Sequence, residues 1–200
     1  FGSNENIRLA FGLLEGSRGR VSRVWMVDRE FMGSFQLDGR SRVVTLPADV
    51  TNPSSFPPEF EHAADAVIVH RAIPSIVGEA HRRSGAQGWH ASIETDTVAQ
   101  LCSTIRWVLK PGARVVVVDS PEFIRRASAG LQDAGFHALE TIPAARGRQL
   151  EMVTALAPGQ AFDASSLPTL QELLAPDHPL RPSFRLVLEN EHVLYDPTQT

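Results

Sequence analysis

Four consecutive valines, Val115–Val118, lie between a long helical stretch and a helix start, and no other feature of this 200-residue chain constrains its fold as much. A strand that is apolar on both faces must be covered on both faces, and such strands belong in the interior of parallel sheets flanked by helices. Upstream, Ile93, Val98, Leu101, Cys102, Ile105, Val108 and Leu109 fall on or near one face of a helix predicted over about 92–109, which Pro111-Gly112 ends. The strand is predicted from Arg114 to Val118. Downstream, Ser120-Pro121-Glu122 opens another helix. Serine can cap, proline is tolerated at the first helical position, and glutamate suits the positive end. Ala134-Gly135 marks its stop. Helix, buried strand, helix is the grammar of an α/β fold with a mainly parallel sheet.

The rest of the chain repeats that grammar. The spacing of Ile7, Ala10, Phe11 and Leu14 predicts a first helix over 4–16. Strands follow at Val21–Val27 and Arg42–Leu46, then a proline-rich loop over 51–60 with at most a short helix. Ala66–Val69 reads as a buried strand and Ile73–Arg83 as a helix, broken by Ser84-Gly85-Ala86-Gln87-Gly88. Phe136–Ile142 and Leu150–Leu156 read as an antiparallel pair. Beyond Pro158 the chain changes character: residues 159–182 hold four prolines around one short helix, Leu170–Ala175, and Phe184–Leu188 can pair with His192–Tyr195. The expected division is an α/β domain over 1–158 and a proline-rich extension over 159–200.

Composition removes several function classes. The net charge of −4 supplies no global field for nucleic acid or an anionic membrane, and the basic residues, all arginine except Lys110, are scattered rather than clustered. A single cysteine, Cys102, excludes an intrachain disulfide framework and a multi-thiolate zinc site. No apolar run approaches the roughly 18 residues of a membrane span, and the first residues lack the pattern of a signal peptide. These features together lead to the expectation of a cytoplasmic protein. His81, His90 and Cys102 do not form a metal-binding spacing, so no metal is expected. Ser120 lacks the glycines of a hydrolase elbow, and no phosphate-binding G-K-[ST] occurs. Trp25, Trp89 and Trp107 read as packing residues rather than as a base-stacking platform.

Ligands of open parallel sheets bind at the carboxyl ends of the strands, and there the chain places Asp28, Asp49, His70-Arg71 and Asp119-Ser120. A carboxylate just past a strand can accept both hydroxyl hydrogens of a ribose. A second, one strand–helix–strand step later, can accept from an adenine amino group, with Val50 as an apolar wall. Each aspartate alone is equally suited to capping a loop; in this order they point to a nucleoside-containing ligand. His70 stands where an imidazole can take a proton from a nucleophile, or can simply hydrogen-bond a loop carbonyl.

At these residues the chain resembles class I S-adenosylmethionine-dependent methyltransferases. Leu109-Lys110-Pro111-Gly112-Ala113-Arg114 followed by the valines and Asp119 is similar to that family's L-K-P-G-G-R, strand, aspartate segment. Leu131-Gln132-Asp133-Ala134-Gly135-Phe136 is similar to the L-x-x-A-G-F before its terminal hairpin, and 148–155 to its last strand. Val24–Asp28, Ala48-Asp49-Val50 and Asp65–His70 resemble the ribose, adenine and reaction-centre segments. The resemblance covers about 1–158. It implies a Rossmann-like class I methyltransferase fold, a mainly parallel sheet with an antiparallel carboxyl-terminal hairpin. It also implies S-adenosylmethionine as cofactor, held by Gly2, Asp28, Asp49, Val50 and His70, with His70 at the reacting centre. The family's glycine-rich loop has only Phe1-Gly2-Ser3-Asn4-Glu5-Asn6 as its counterpart, so the amino end is expected to be truncated or the loop degenerate. Two functions follow as expectations: methyl transfer to an acceptor the sequence does not identify, or a catalytically inactive scaffold within a larger assembly. A protein partner or second copy would dock through the extension. A short-chain dehydrogenase, suggested by Asp49-Val50-Thr51-Asn52, lacks its catalytic Tyr-x-x-x-Lys: the only tyrosine is Tyr195 and the only lysine Lys110.

Overall fold

A computed structural model describes residues 10, 13, 21, 23–29, 43–142 and 150–159. The predicted first helix is represented by Ala10 and Leu13, both helical. Gly2, the Leu170–Ala175 helix and the second hairpin lie outside the described residues. The described chain falls into two compact units that meet between Ala48 and Asp49 in sequence.

In the first unit, β1 (Val24–Val27) pairs in parallel with β2 (Val43–Leu46), Val24 opposite Val43 and Val27 opposite Leu46. The pairing extends one step further, because the Asp28 N–H donates to the Leu46 carbonyl at 3.2 Å. Met26 and Val43 are buried with Ala10, and Val21 and Val24 pack against them. Trp25 points to the other side and is exposed, with the Arg23 guanidinium 5.5 Å from its ring centre.

The second unit holds β3 (Ala64–His70), α1 (Ile73–Ser84), α2 (Ala91–Val108), β4 (Leu109–Asp119), α3 (Pro121–Asp133), β5 (His137–Ile142) and β6 (Glu151–Leu156). Two 3-10 turns, Pro53–Ser55 and Pro58–Phe60, occupy the proline-rich stretch. The strand order is β3-β4-β6-β5. β3 and β4 are parallel; β6 is antiparallel to β4 on one side and to β5 on the other. The architecture is therefore α/β and consistent with a Rossmann-like fold, with the expected antiparallel carboxyl-terminal hairpin; the four-stranded sheet is mixed rather than mainly parallel, because β6 runs against both of its neighbours. Val115–Val118 are all buried, as a strand with neighbours on both edges and side chains pointing to both faces requires. The buried Thr154 hydroxyl is satisfied by the Val115 carbonyl at 3.0 Å.

Two local expectations need correction. Pro111-Gly112 does not end α2, which stops at Val108; β4 starts at Leu109, not Arg114. Leu109 is fully buried and pairs with Ala64, whereas Ala66 pairs with Arg114. Residues 110–113 therefore bulge opposite Asp65 alone, with Gly112 at φ +75° making the turn and Lys110 ion-paired to Asp65. The burial of Leu109 outweighs the turn signal after it. Ser120 stands at the cap position of α3, but its side chain makes no capping bond; the neighbouring Asp119 carboxylate takes the Ser120 N–H instead.

The helices α2 and α3 lie side by side and run in the same direction. Glu94 meets Arg126 near their amino ends, Cys102 faces Ala127 midway, and Arg106 reaches the Ala134 carbonyl at the far end. Both helices thus begin at the carboxyl end of β3 and β4.

Candidate functional site

Parallel β3 and β4 end together in a group of buried polar residues. His70, the last residue of β3, lies opposite Val118 and is buried. Burial, reinforced by the neighbouring Arg71 charge, pulls its imidazole pKa down to about 4, because a charged ring is poorly solvated there. It is neutral at physiological pH. Arg71 follows with φ +47°, and its N–H donates to the Val118 carbonyl at 2.8 Å. That bond holds a left-handed conformation that non-glycine residues adopt at a cost of order 1 kcal/mol.

Asp119, the last residue of β4, is likewise buried. Its Oδ1 accepts from the Ser120 N–H at 2.8 Å and its Oδ2 from the Ile73 N–H at 3.3 Å. One carboxylate thus gathers the first turns of α3 and α1, where unpaired N–H groups and the positive helix ends favour negative charge. Its role is architectural: it fixes the two loops that carry strand ends into helices.

The other predicted ligand-binding residues fall as follows. Asp28 is half-buried directly after β1 in the first unit, at the position predicted for a ribose acceptor. Asp49 and Val50 belong to the second unit, in the turn after β2. The Asp49 carboxylate is already engaged: Oδ1 accepts from the Thr51 N–H at 3.0 Å and hydroxyl at 2.7 Å, and Oδ2 from Arg83 at 2.8 Å. The Ser55 hydroxyl accepts from the Asp49 N–H and donates back to its carbonyl. These are the loop-capping bonds that the sequence also allowed. An ionised carboxylate offers about four acceptor positions, and these three bonds fill two on Oδ1 and one on Oδ2. Cys102 is buried and its thiol is pushed up to about 12 by burial, which makes it inert at neutral pH.

One cluster escaped the sequence reading. Trp89, in the loop before α2, is 60% exposed. Its ring stacks on the buried His81 of α1, centres 4.4 Å apart and planes 24° apart, and its Nε1–H donates to Glu94 Oε2 at 3.1 Å. Glu94 is 2% exposed and is ion-paired with Arg126 of α3 at 3.2 Å. The signal was present: Glu94 sits on the same helical stripe as Val98, Leu101 and Ile105, where a charged residue has no packing reason to be. Trp107 does pack, 6.0 Å from Phe56, whereas Trp25 and Trp89 are exposed. Among the described residues, no group of His, Cys, Asp and Glu can hold a metal ion, and no helix is long and apolar enough to cross a membrane.

No family model and no curated protein matches the chain. Solved structures do. The chain is similar to a 16S rRNA (adenine(1408)-N(1))-methyltransferase from Catenulisporales acidiphilia, at 15% identity and TM-score 0.47, over 78% of this chain and 85% of that one. It is similar to an S-adenosylmethionine-dependent O-methyltransferase from Thermotoga maritima, at 13% identity and TM-score 0.47, over 74% of this chain and 55% of that one. It is also similar to the S-adenosylmethionine-dependent methyltransferase SibL, at 16% identity and TM-score 0.47, over 68% of this chain and 43% of that one. The chain spans about half the length of several structures it matches.

Proposed function

We propose that this chain carries the methyltransferase-like part of an enzyme that moves a methyl group from S-adenosylmethionine to an acceptor. The observation that carries the reading is Asp28, a half-buried carboxylate directly after a parallel strand, the position at which an α/β sheet binds ribose. The α/β arrangement and the remaining acceptor position on Asp49 are consistent with it. When bound, the cofactor supplies an electrophilic methyl carbon on a sulfonium. Asp28 would accept from the ribose hydroxyls, Asp49 from the adenine amino group, with Val50 against the ring and Gly2 beside the amino-acid part. His70 would face the acceptor. Held neutral with a pKa of about 4, it is too weak a base to deprotonate an unactivated hydroxyl efficiently. Its contribution would be to orient the nucleophile by hydrogen bonding, and the rate would come chiefly from proximity and alignment.

Titration calorimetry tests this with S-adenosylmethionine and its demethylated product, S-adenosylhomocysteine, against the full chain and Asp28→Ala. Micromolar binding that weakens by about tenfold or more in the variant is expected, as for loss of a charged hydrogen-bond acceptor. No binding by a folded chain would overturn the reading and leave a non-catalytic domain.

A further inference from the structure

Tryptophan that is mostly exposed normally contributes little to folding and is free to swing. Trp89 is held at two places. One face rests on His81, and the indole N–H is fixed by Glu94, a carboxylate removed almost entirely from water and balanced by Arg126. Neither His81 ring nitrogen has a hydrogen-bond partner, so its contribution to this cluster is the ring face. Stability does not account for the arrangement. A buried ion pair is at best comparable to a well-packed apolar pair, and an apolar residue at 94 would simply continue the stripe of Val98, Leu101 and Ile105. The buried charge is used instead to set the plane of a ring that gains little burial of its own.

We propose that Trp89 is a stacking platform for a flat, uncharged aromatic or heteroaromatic ring; calling that ring the methyl acceptor rests on the function proposed above, whereas the platform itself does not. A prefixed indole loses little entropy on binding, and its open face offers a large area for stacking. It lies just before α2, at the end of the unit where His70 and Asp119 close β3 and β4, the end at which parallel sheets receive ligands. The class follows from the neighbours. The indole N–H is already taken by Glu94, so the platform reads a π surface rather than a hydrogen-bonding pattern. Glu94 is buried and ion-paired with Arg126, which is shared with the exposed Glu122, so the Glu94 charge is engaged within the protein rather than offered to a ligand.

The test follows the three indole N–H resonances of the 15N-labelled full chain, with that of Trp89 assigned by Trp89→Phe. The probes are quinoline, flat and neutral; cyclohexanol, uncharged and saturated; and tetramethylammonium, a cation. Quinoline is expected to shift the Trp89 resonance saturably and bind about tenfold or more tightly than either other probe, the scale of one ring stacked on an aromatic side chain. Read on quinoline's own proton resonances, since both variants lack the Trp89 indole, Trp89→Phe should retain binding and Trp89→Leu lose about tenfold. The proposal is overturned if all three indole resonances shift alike, if tetramethylammonium binds as tightly as quinoline, or if Trp89→Leu binds unchanged. Quinoline stacking without S-adenosylhomocysteine binding would uphold the platform and remove methyl transfer; the reverse would remove the platform alone.

Discussion

The pairing of α2 with α3 is two different structures at its two ends. Midway and below, Cys102 meets Ala127 and Gly130, and Val98 also meets Gly130, with Leu101, Ile105 and Leu131 buried on the same helices; the approach is so close that a methyl group at position 130 would lie 3.0 Å from the Cys102 sulfur. At the amino end the same two helices are joined by Glu94 and Arg126, with Trp89 and His81 stacked beside them. One end maximises apolar contact, which is where folding free energy comes from. The other takes charge and a histidine out of water, which lowers stability unless it is compensated. Stability and candidate chemistry are thus segregated along a single helix pair.

The largest expected effect breaks the apolar end. Leu131 is fully buried, and Leu131→Ala should destabilise the chain by about 2–5 kcal/mol through lost burial and a residual cavity, read as a lower urea midpoint. The Trp89 resonance should keep its position, because its anchors lie at the other end. A loss below about 1 kcal/mol would mean that the apolar end does not hold the helices together.

Next comes the pH dependence of the polar end. His70 has a folded pKa of about 4 against an ordinary 6.5, so between those values the unfolded chain binds a proton that the folded chain refuses. Its stabilising contribution is complete above pH ~6.5 and is lost as pH falls to ~4, a difference of about 3 kcal/mol for a shift of this size. Carboxylates titrate in part of the same window, so the measurement is the difference between the chain and His70→Gln across it. The variant's curve should be flatter by that amount. Parallel curves would show that His70 is not desolvated.

How much of this could be read from residues alone follows the same division. The valine strand, the α2 stripe and the closing hairpin were legible because burial imposes a period and many residues repeat it. The start of β4 was misread, since Pro111-Gly112 is as good a bulge as it is a helix stop; only the pairing of Leu109 with Ala64 decides between them. At the candidate site, residue types at strand ends could be recognised, but their partners could not. That Asp49 closes a turn with Thr51 and Ser55 is local, yet its bond to Arg83 spans 34 positions and exists only in the fold. Glu94, passed over in the sequence, stands out only in retrospect as a charge on an apolar stripe; that it meets Arg126 and Trp89 exists only in the fold.

The smallest effect sharpens the comparison, because one substitution made in two places should change sign. Gly78 lies within α1, and a Cβ built there meets nothing within 4 Å. Gly78→Ala should therefore stabilise the chain by about 0.5–1 kcal/mol, the helix-interior preference of alanine over glycine. Gly130 carries the same preference in α3, but its Cβ would stand 3.0 Å from Cys102 Sγ and 3.3 Å from Val98 Cγ1. Both side chains are themselves fully packed, so overpacking of about 1–3 kcal/mol exceeds the gain, and Gly130→Ala should be net destabilising by about 1 kcal/mol. Adding Cys102→Ala removes the closest of those atoms. In a double-mutant cycle the two changes should then couple favourably by about 1 kcal/mol. Additive changes, or a stabilising Gly130→Ala, would mean that the helices are not in close contact there and that the two ends of the pair differ less than their packing indicates.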